Sequence, residues 1–293
     1  SLNHSLNKNG QALDINTLGN FTLRLNGNDQ VIVSNINSIG NMDIDIVGNS
    51  NALTANGNLV SGGNVNIYSG GGSWNYSNND INITGDLTAT DYISFQNMNY
   101  SGDGSDLSIG GNISSTNSYA YFRNRGTNSD ISVTGSTTSN TYTSFLTEAG
   151  GSSIDLGSVT SGTSMTIDAQ GNSVNVTGNL NNNGGNTAYF RGRSGFNITG
   201  ELDVTSSATK NFTMDVGNGN LMNSLANHDL TLNTLNIVAR NNAPVTLPGN
   251  VTTTGNVDID ILGSNSAVNV NGNLASGGNV NIYSGGGSWN YSN

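Results

Sequence analysis

The chain of 293 residues has no cysteine, two prolines and two histidines, and only 9% of its side chains are charged. Without cysteine there is no disulfide, no thiolate ligand for zinc and no thiol nucleophile. The charged fraction is well below the roughly 25% of ordinary globular domains. Apolar residues reach only 33%, against about 45–50% in such domains. This composition does not indicate an ordinary globular core.

Positive charge and long apolar segments are also scarce. Lys and Arg number 8 against 19 Asp and Glu, so the formal net charge is −11. Nucleic-acid binding requires a basic face, and a transmembrane helix requires about 18 consecutive apolar residues. We therefore expect neither nucleic-acid binding nor membrane insertion. The absence of a signal peptide and of an initiator methionine suggests a piece of a larger protein.

Four residue types dominate what is present: 54 Asn, 40 Gly, 37 Ser and 29 Thr. All four are poor helix formers, and Asn and Ser favour turns because their side chains compete for backbone hydrogen bonds. Disordered chains usually contain few β-branched residues and many charges, whereas here Val, Ile, Leu and Thr recur in short regular bursts. The composition therefore predicts an ordered, all-β protein.

The chain contains a long internal repeat. Residues 40–78 and 255–293 align without a gap at an offset of 215 residues and are identical at 30 of 39 positions. Most of the differences exchange one aliphatic residue for another or Asn for Ser. One full repeat and the start of the next fit a single elongated domain over residues 1–293.

A shorter period runs beneath the long one. The most strand-like bursts recur on average about every 24 residues, and nine such steps make about 215. They are centred on Phe21, Ile44, Ile67, Phe95, Phe122, Phe145, Met165, Phe190, Phe212, Ile237, Ile259 and Ile282. Each period holds three alternating apolar and polar bursts separated by Gly, Asn and Ser corners. We therefore predict a parallel β-helix, a solenoid with three short strands per coil, about 24 residues per coil and about 12 coils.

Several short phrases are similar to those of filamentous haemagglutinin-like adhesins, which Gram-negative bacteria export by two-partner secretion. The phrases are Gly57-Asn58-Leu59, residues 62–67 (GGNVNI), Gly178-Asn179-Leu180, Gly272-Asn273-Leu274, residues 82–87 (NITGDL) and residues 197–202 (NITGEL). The resemblance extends over essentially the whole chain. It implies a right-handed β-helical stalk, export with an outer-membrane secretion partner, and attachment to host cells, other bacteria or biofilm matrix. Autotransporter passengers share these phrases, so either export route fits.

Catalytic groups are sparse, and we expect no enzyme. The histidines, His4 and His228, stand in polar turn-like text far from any nucleophile pattern. Two carboxylate pairs, Asp43/Asp45 and Asp258/Asp260, have a spacing that places both members on one face of a strand. Glycosidases use two carboxyls about 5–10 Å apart. Because both pairs lie in the duplicated segment, a polar outer face explains them better than two active sites.

One segment has a weak metal-binding pattern. Residues 101–109 (SGDGSDLSI) approach the Gly/Asp-rich motif of calcium β-rolls, with Asp103 and Asp106 as candidate ligands. That architecture needs the motif in tandem, and here it occurs once. We expect a turn, no cofactor and no metal, with calcium as the alternative.

Half of the positive charges lie in two similar phrases, which contain Arg123 and Arg125, and Arg191 and Arg193. Each pair should share one face of a strand, and the phrases should lie about three coils apart on one sheet. Two interpretations remain open. The arginines form a basic stripe that binds an anionic polysaccharide or a neighbouring rod, or they pair with nearby carboxylates.

Aromatic residues in the repeated GGGSWNY text are the best candidates for carbohydrate binding: Trp74, Tyr76, Trp289 and Tyr291. Aromatic rings stack on sugars, but a corner tryptophan also gains from burial in the core. The sequence leaves both roles open, and it favours burial.

Taken together, the sequence predicts a structural stalk of a large adhesin at the bacterial cell surface or secreted from the cell. The expected partners are host or matrix glycans or sister adhesin molecules. A carbohydrate-binding β-helix is the alternative, and a polysaccharide-degrading β-helix enzyme is a weaker one. An enzyme would need acidic and basic side chains clustered on one outward face within two or three coils.

Overall fold

A computed structural model of the chain describes residues 7–8, 11–70, 78–98, 104–204, 207–219, 229–240, 243–247, 249–263 and 265–285. These residues form strands and turns without any helix, and hence without a helix able to cross a membrane. Parallel coils stack into a β-solenoid of about 10 turns with about 23 residues per turn. The predicted fold class is confirmed. The sequence predicted about 12 coils of about 24 residues, and each of its 12 strand-like bursts lies in a separate strand.

Each turn contributes strands to three faces, which we name A, B and C, and the strands are numbered in chain order. Face A contains β4 (Phe21–Asn26), β7 (Met42–Val47), β10 (Val65–Ser69), β13 (Ile93–Asn97), β16 (Ala120–Asn124), β19 (Tyr142–Thr147), β22 (Ser164–Ala169), β25 (Thr187–Ile198), β27 (Asn211–Gly219), β29 (Thr234–Ala239), β32 (Val257–Ile261) and β35 (Val280–Ser284). Neighbours in this series are parallel.

Face B contains β5 (Gln30–Val33), β8 (Ala52–Ala55), β11 (Asp80–Ile83), β14 (Leu107–Ile109), β17 (Ile131–Val133), β20 (Ile154–Leu156), β23 (Ser173–Val176), the end of β25, β30 (Pro244–Leu247) and β33 (Ala267–Val270). The long strand β25 pairs with both β22 and β23 and so joins face A and the first seven strands of face B into one sheet of 19 strands, whereas β30 and β33 form a separate two-stranded sheet.

Face C is formed by two separate sheets. The larger consists of β3 (Ile15–Thr17), β6 (Ile36–Ser38), β9 (Leu59–Ser61), β12 (Leu87–Ala89), β15 (Ile113–Ser115), β18 (Thr137–Ser139), β21 (Val159–Ser161), β24 (Leu180–Asn182) and β26 (Leu202–Val204). The smaller consists of β28 (Leu230–Leu232), β31 (Val251–Thr253) and β34 (Leu274–Ser276). An antiparallel pair, β1 (Asn7–Lys8) and β2 (Gln11–Ala12), precedes the coils.

The core is a narrow aliphatic and aromatic column between the three faces. Alternate residues of each strand point inward, as in β7, where Met42, Ile44 and Ile46 are fully buried and the residues between them are partly exposed. Because the strands are parallel and in register, like residues stack on like. The rings of Phe122 and Phe145 stack 4.9 Å apart. Because the core is a single narrow column, each turn has few inward positions, and this explains the low apolar content.

Columns of polar side chains connect successive turns at the corners. At a surface corner between faces B and C, the N–H of Asn58 donates to Oδ1 of Asn35, and the N–H of Asp86 donates to Oδ1 of Asn58. At the corner between faces A and B the column is buried, and each lower N–H donates to the side-chain oxygen above over 2.9–3.1 Å. Its members are Asp29, Asn51, Asn79, Ser105, Ser129 and Ser152. We call this the buried polar column.

The residue before each member of the buried polar column has a positive φ. These residues are Asn28, Ser50, Asn78, Gly104, Asn128 and Gly151, with φ between 49° and 83°. Asn and Gly adopt this left-handed conformation more readily than other residues. The abundance of Asn and Gly therefore has a local cause in these six turns, each of which has a left-handed residue at this corner.

The two copies of the long repeat occupy equivalent places in the fold. Strand β32 lies nine turns above β7 on face A, and β35 repeats β10 in the same way. The 215-residue repeat therefore corresponds to a whole number of turns, as the agreement between the two sequence periods indicated.

Candidate functional site

Both arginine phrases lie on the outer surface of face A. Arg123 projects outward from β16 and Arg191 from β25, and the strand pairings place them in one column, three turns apart. The predicted shared sheet and spacing are confirmed. Whether these arginines are open to a ligand or paired depends on the carboxylates in the neighbouring turns.

Arg123 and Arg125 share one carboxylate. Nε of Arg123 donates to Oε1 of Glu148 at 2.6 Å, and Nε of Arg125 lies 3.1 Å from Oε2 of the same residue. Glu148 belongs to the next turn, so the interaction joins two turns across the outer surface. The side chains of Arg123 and Glu148 are each about three-quarters buried.

The second phrase belongs to a longer ion-pair network. Arg191 makes a two-point contact with Asp168 one turn below, with Nε 2.5 Å from Oδ1. Arg193 lies 3.7 Å from Asp215 one turn above, and Asp215 also receives Arg240 of the following turn. The hydrogen bond that Arg191 donates to Asp168 raises the pKa of Arg191. Burial raises the pKa of Asp168, and the two neighbouring arginines act in the opposite direction.

The arrangement corresponds to the second of the two interpretations, in which the arginines pair with nearby carboxylates. Arg193 is the most exposed of the four, with 49% of its side chain accessible. Arg191 also lies over the ring of Tyr189, 5.7 Å from its centroid, which adds a cation–π contact. Face A therefore presents neutralised charge rather than an open basic stripe.

The Asp-x-Asp pairs also point outward from face A. Asp43 Oδ1 accepts the side-chain N–H of Asn66 in the turn above at 2.9 Å. The second copy repeats this contact between Asp258 and Asn281 at 2.6 Å. Because both copies make the same cross-turn bond, the pairs act as links on a polar outer face, as the sequence interpretation favoured.

Asp106 lies in an acidic column of face B. Its N–H donates to Oδ1 of Asp80 below at 3.3 Å, and its Oδ1 accepts the N–H of Asp130 above at 2.9 Å. Burial raises the pKa of Asp106, and the two neighbouring carboxylates add to the effect. Asp103 lies outside the described residues. Within the described ranges no group of three or more His, Cys, Asp or Glu side chains is arranged to hold a metal ion.

The aromatic candidates Trp74, Tyr76, Trp289 and Tyr291 lie outside the residues that the structure describes, as do His4 and His228. An open groove of about 390 Å³ lies on the outer surface of face A. Its lining includes Arg24, Asp45, Tyr68 and Met98, and Tyr68 stands three residues before the segment 71–77, which contains Trp74 and Tyr76. Tyr68 is 38% exposed. The groove combines an aromatic ring, which is a group able to stack on a sugar, with both signs of charge.

A tyrosine stack was missed in the sequence. Tyr92, Tyr119 and Tyr142 occupy one column beside face A, with ring centroids 4.9 Å and 4.7 Å apart and nearly parallel planes. Burial raises the pKa of Tyr119 and Tyr142. The sequence does contain a pattern that predicts this stack, because each tyrosine stands three residues before an inward phenylalanine of face A.

A buried lysine was also missed. Lys210 is fully buried, and its Nζ donates to the backbone oxygen of Asn182 at 3.1 Å and to its Oδ1 at 2.7 Å. Burial lowers the pKa of Lys210 to about 8, and Asp203 on the exposed side of β26 opposes the shift. Nothing in the local sequence marks Lys210 as an inward residue.

Comparison with protein-family models, with curated proteins and with solved structures finds no match for this chain.

Proposed function

We propose that this chain is a structural stalk segment of a large exported bacterial adhesin. The observation that carries the proposal is the stacking of parallel turns, which is continuous along face A and is reinforced at the corners by side-chain columns. About 10 turns at a strand spacing of about 4.8 Å give a rod on the order of 50 Å long. Such a rod separates its two ends by a fixed distance, which is the task of a stalk.

The mechanism is mechanical. A load along the rod acts on the hydrogen bonds between turns, and these bonds are distributed over three faces and two corners. Ion pairs such as Arg191–Asp168 and Arg240–Asp215 add further links between neighbouring turns. Charged side chains that hold turns together are consistent with a support role rather than with catalysis.

The biological setting follows from the resemblance of the Gly-Asn-Leu and Asn-Ile-Thr-Gly phrases to two-partner-secreted adhesins. We propose export through an outer-membrane secretion partner, a location at the cell surface or in the medium, and attachment to host or matrix glycans or to sister adhesin molecules. The low charge and the thin core suit a long surface filament.

Two measurements test this proposal: the length of the rod and the absence of catalytic turnover. Duplicating residues 65–279 in tandem joins Asn279 to a second Val65 in register, because Val65 and Val280 are counterparts in the repeat. Electron microscopy should show a rod lengthened by nine turns, and the mean residue ellipticity in circular dichroism should stay the same. A screen of the full chain against acidic polysaccharides should show no turnover, and measurable turnover would overturn the proposal.

A carbohydrate-binding β-helix is the second candidate, and the groove at Tyr68 favours it. The copy of this tyrosine, Tyr283, has no arginine two turns below it, because Val238 stands where the first copy has Arg24. Glycan-array binding that is lost in Tyr68→Ala and Trp74→Ala but kept in Tyr283→Ala would favour this function over a passive stalk.

A further inference from the structure

One corner column of the solenoid changes its chemistry over three consecutive turns. The column stands where each turn enters its face A strand, and in most turns it holds a small polar residue. These residues are Asn20, Asn41, Asn64, Ser164, Thr187, Asn211, Thr234, Asn256 and Asn279. In three adjacent turns the same position holds Tyr92, Tyr119 and Tyr142. We call these three residues the tyrosine column.

The small polar residues of this corner link one turn to the next by hydrogen bonds. Oδ1 of Asn41 accepts the backbone N–H of Asn64 at 3.1 Å, and Oδ1 of Asn256 accepts the backbone N–H of Asn279 at 3.0 Å. A tyrosine carries its only polar side-chain atom at the far end of the ring, so it does not make this short bond. In the tyrosine column, ring stacking takes the place of the hydrogen-bonded link.

The rings of the tyrosine column form a parallel stack. The ring centroids of Tyr92 and Tyr119 are 4.9 Å apart with an interplanar angle of 5°, and those of Tyr119 and Tyr142 are 4.7 Å apart with an angle of 13°. The backbone is fixed as well, because the carbonyl oxygen of Tyr119 accepts the N–H of Ile93 at 2.9 Å. The ring spacing is that of neighbouring strands, about 4.8 Å, so the fold itself holds the rings together.

The stack is partly open to solvent. All three tyrosines are partly exposed, and the two faces of the Tyr119 ring are covered by Tyr92 and Tyr142. Sugars stack on the open faces of aromatic rings, so Tyr119 is poorly suited to binding a glycan in this way. Close, parallel and accessible phenols are instead suited to a reaction of one ring with the next.

The relevant chemistry of phenols is one-electron oxidation. Loss of an electron and a proton gives a phenoxyl radical, whose unpaired electron is shared between the oxygen and the ortho carbons of the ring. Two such radicals combine when their rings are close. Burial raises the pKa of Tyr119 and of Tyr142, so both are neutral phenols at neutral pH, and each loses its proton together with its electron.

We propose that the tyrosine column is a site of oxidative cross-linking, at which Tyr119 forms a dityrosine bond with Tyr142 or with Tyr92. The oxidant is hydrogen peroxide, acting through a one-electron catalyst such as a haem peroxidase. Each phenol gives up one electron and one proton, a carbon–carbon bond forms between two ortho carbons, and the hydrogens on those carbons move to the oxygens. The two electrons and two protons that are released reduce one peroxide to two molecules of water.

The bond would join two adjacent turns covalently at the outer surface. A cross-link restricts the conformations of the unfolded chain and so stabilises the folded one. The cross-linked protein should therefore unfold at a higher urea concentration than the untreated protein. The inference rests on the tyrosine column and not on the adhesin assignment, so the failure of either leaves the other standing.

The test treats the folded chain with a haem peroxidase and limiting hydrogen peroxide, at a protein concentration low enough to keep cross-links within one molecule. The wild-type chain should lose the mass of two hydrogen atoms, gain dityrosine fluorescence and stay monomeric in denaturing electrophoresis. Oxidation of methionine is distinguished by mass, because it adds an oxygen atom. Digestion at arginine and acidic residues, followed by tandem mass spectrometry, should place the bond between Tyr119 and one of its two neighbours.

Three phenylalanine variants identify the reacting pair, and each keeps its ring and hence the stacking. Tyr119→Phe should abolish the cross-link, because Tyr92 and Tyr142 are two turns, or about 9.6 Å, apart. Tyr92→Phe and Tyr142→Phe should each retain it, because one stacked pair of tyrosines remains. Only a central residue shared by both pairs gives this pattern.

Tyr189→Phe is the matched control. Tyr189 points outward from the same face, and its neighbours in the turns below and above are Thr166 and Thr213. This variant should cross-link like the wild type. Treatment of the wild type in urea is a second control, and its yield should fall to that of folded Tyr119→Phe because unfolding separates the rings.

Several outcomes would overturn the proposal. One is a wild-type chain that gains only oxygen, and another is a Tyr119→Phe variant that cross-links as well as the wild type. A bond that maps to other outward tyrosines of face A, such as Tyr68 or Tyr121, would also contradict it. Equal yields in the folded and unfolded chain would show that the stacked arrangement does not direct the reaction.

Discussion

Oδ1 of Asn51 accepts the backbone N–H of Asp29 at 3.0 Å, although the two residues are 22 positions apart in the sequence. The interaction is buried, and the N–H of Asn51 in turn donates to Oδ1 of Asn79 one turn higher. Each member is thus both donor and acceptor. Side chains of the interior, and not only the backbone of the strands, hold one turn to the next.

Replacing a member of this column should destabilise the rod. Asn51→Ala removes the acceptor of a buried N–H, and an unpaired buried polar group costs about 1–3 kcal/mol. We expect a lower midpoint in urea unfolding followed by circular dichroism. Asn66→Ala is the matched control, because it removes an outer amide that bonds to Asp43 at a partly exposed site. Equal effects of the two variants would show that the buried position has no special role.

Glycine is required where the backbone of one turn lies very close to the backbone of the turn below. A Cβ on Gly162 would lie 1.9 Å from the backbone oxygen of Asn140, whereas a Cβ on Gly150 would meet nothing within 4 Å. Gly162→Ala should therefore destabilise the chain by roughly 1–3 kcal/mol through overpacking, and Gly150→Ala should be nearly neutral. Thermal unfolding of the two variants side by side measures the difference. A neutral Gly162→Ala would contradict the close crossing.

Glu148 neutralises Arg123 and Arg125, so its removal should uncover positive charge. Glu148→Gln should increase retention on a heparin column at low salt, because both arginines lose their carboxylate partner. Glu201→Gln is the control, since it removes the same charge from an exposed position. If both variants are retained equally, the gain reflects net charge alone, and the pairing does not control binding.

Lys210 should make stability depend on pH in the alkaline range. Its pKa in the folded chain is about 8, below its ordinary value of 10.5, so the unfolded state binds more protons between these values. Stability should then rise as the pH goes from about 8 to about 10.5, and the burial penalty is fully present below pH 8. The raised pKa values of tyrosines such as Tyr119 act in the opposite direction above pH 10.

The comparison with Lys210→Met isolates the lysine from the tyrosines. The difference in unfolding free energy between the wild type and the variant should change by on the order of 3 kcal/mol across this pH window. A difference that stays constant from pH 7 to pH 11 would show that Lys210 is not buried as the structure has it.

Most of the fold could be predicted because every turn of a solenoid repeats the same pattern of apolar and polar residues, so the sequence contains the same signal many times. Nine of the twelve positions chosen from the sequence, among them Ile44, Phe122 and Ile237, fall in one inward column of face A. Phe21, Met165 and Phe212 fall two residues earlier, in the neighbouring inward column. Alternate residues of a strand point to the same side, so a position chosen two residues too early still points inward. The inward side of these strands was therefore predicted correctly, although the exact column was not.

The contacts of individual side chains could not be predicted in the same way. Whether Arg123 meets a carboxylate depends on Glu148, 25 residues away, and hence on the exact length of one turn. The buried position of Lys210 is harder to predict, because the counterparts of this residue in the adjacent turns are Asn186 and Asn233. Its partner Asn182 occupies a position that is Ser161 one turn below, and the larger amide is what reaches the lysine.

The whole-number relation between the 215-residue repeat and nine turns has a consequence at the level of the gene. Recombination between the two nearly identical stretches would delete or insert nine complete turns and leave every remaining residue on its original face. A mismatch of a fraction of a turn would instead rotate all later residues around the axis and expose the core. The length of such a rod can thus change from one generation to the next without passing through a misfolded intermediate.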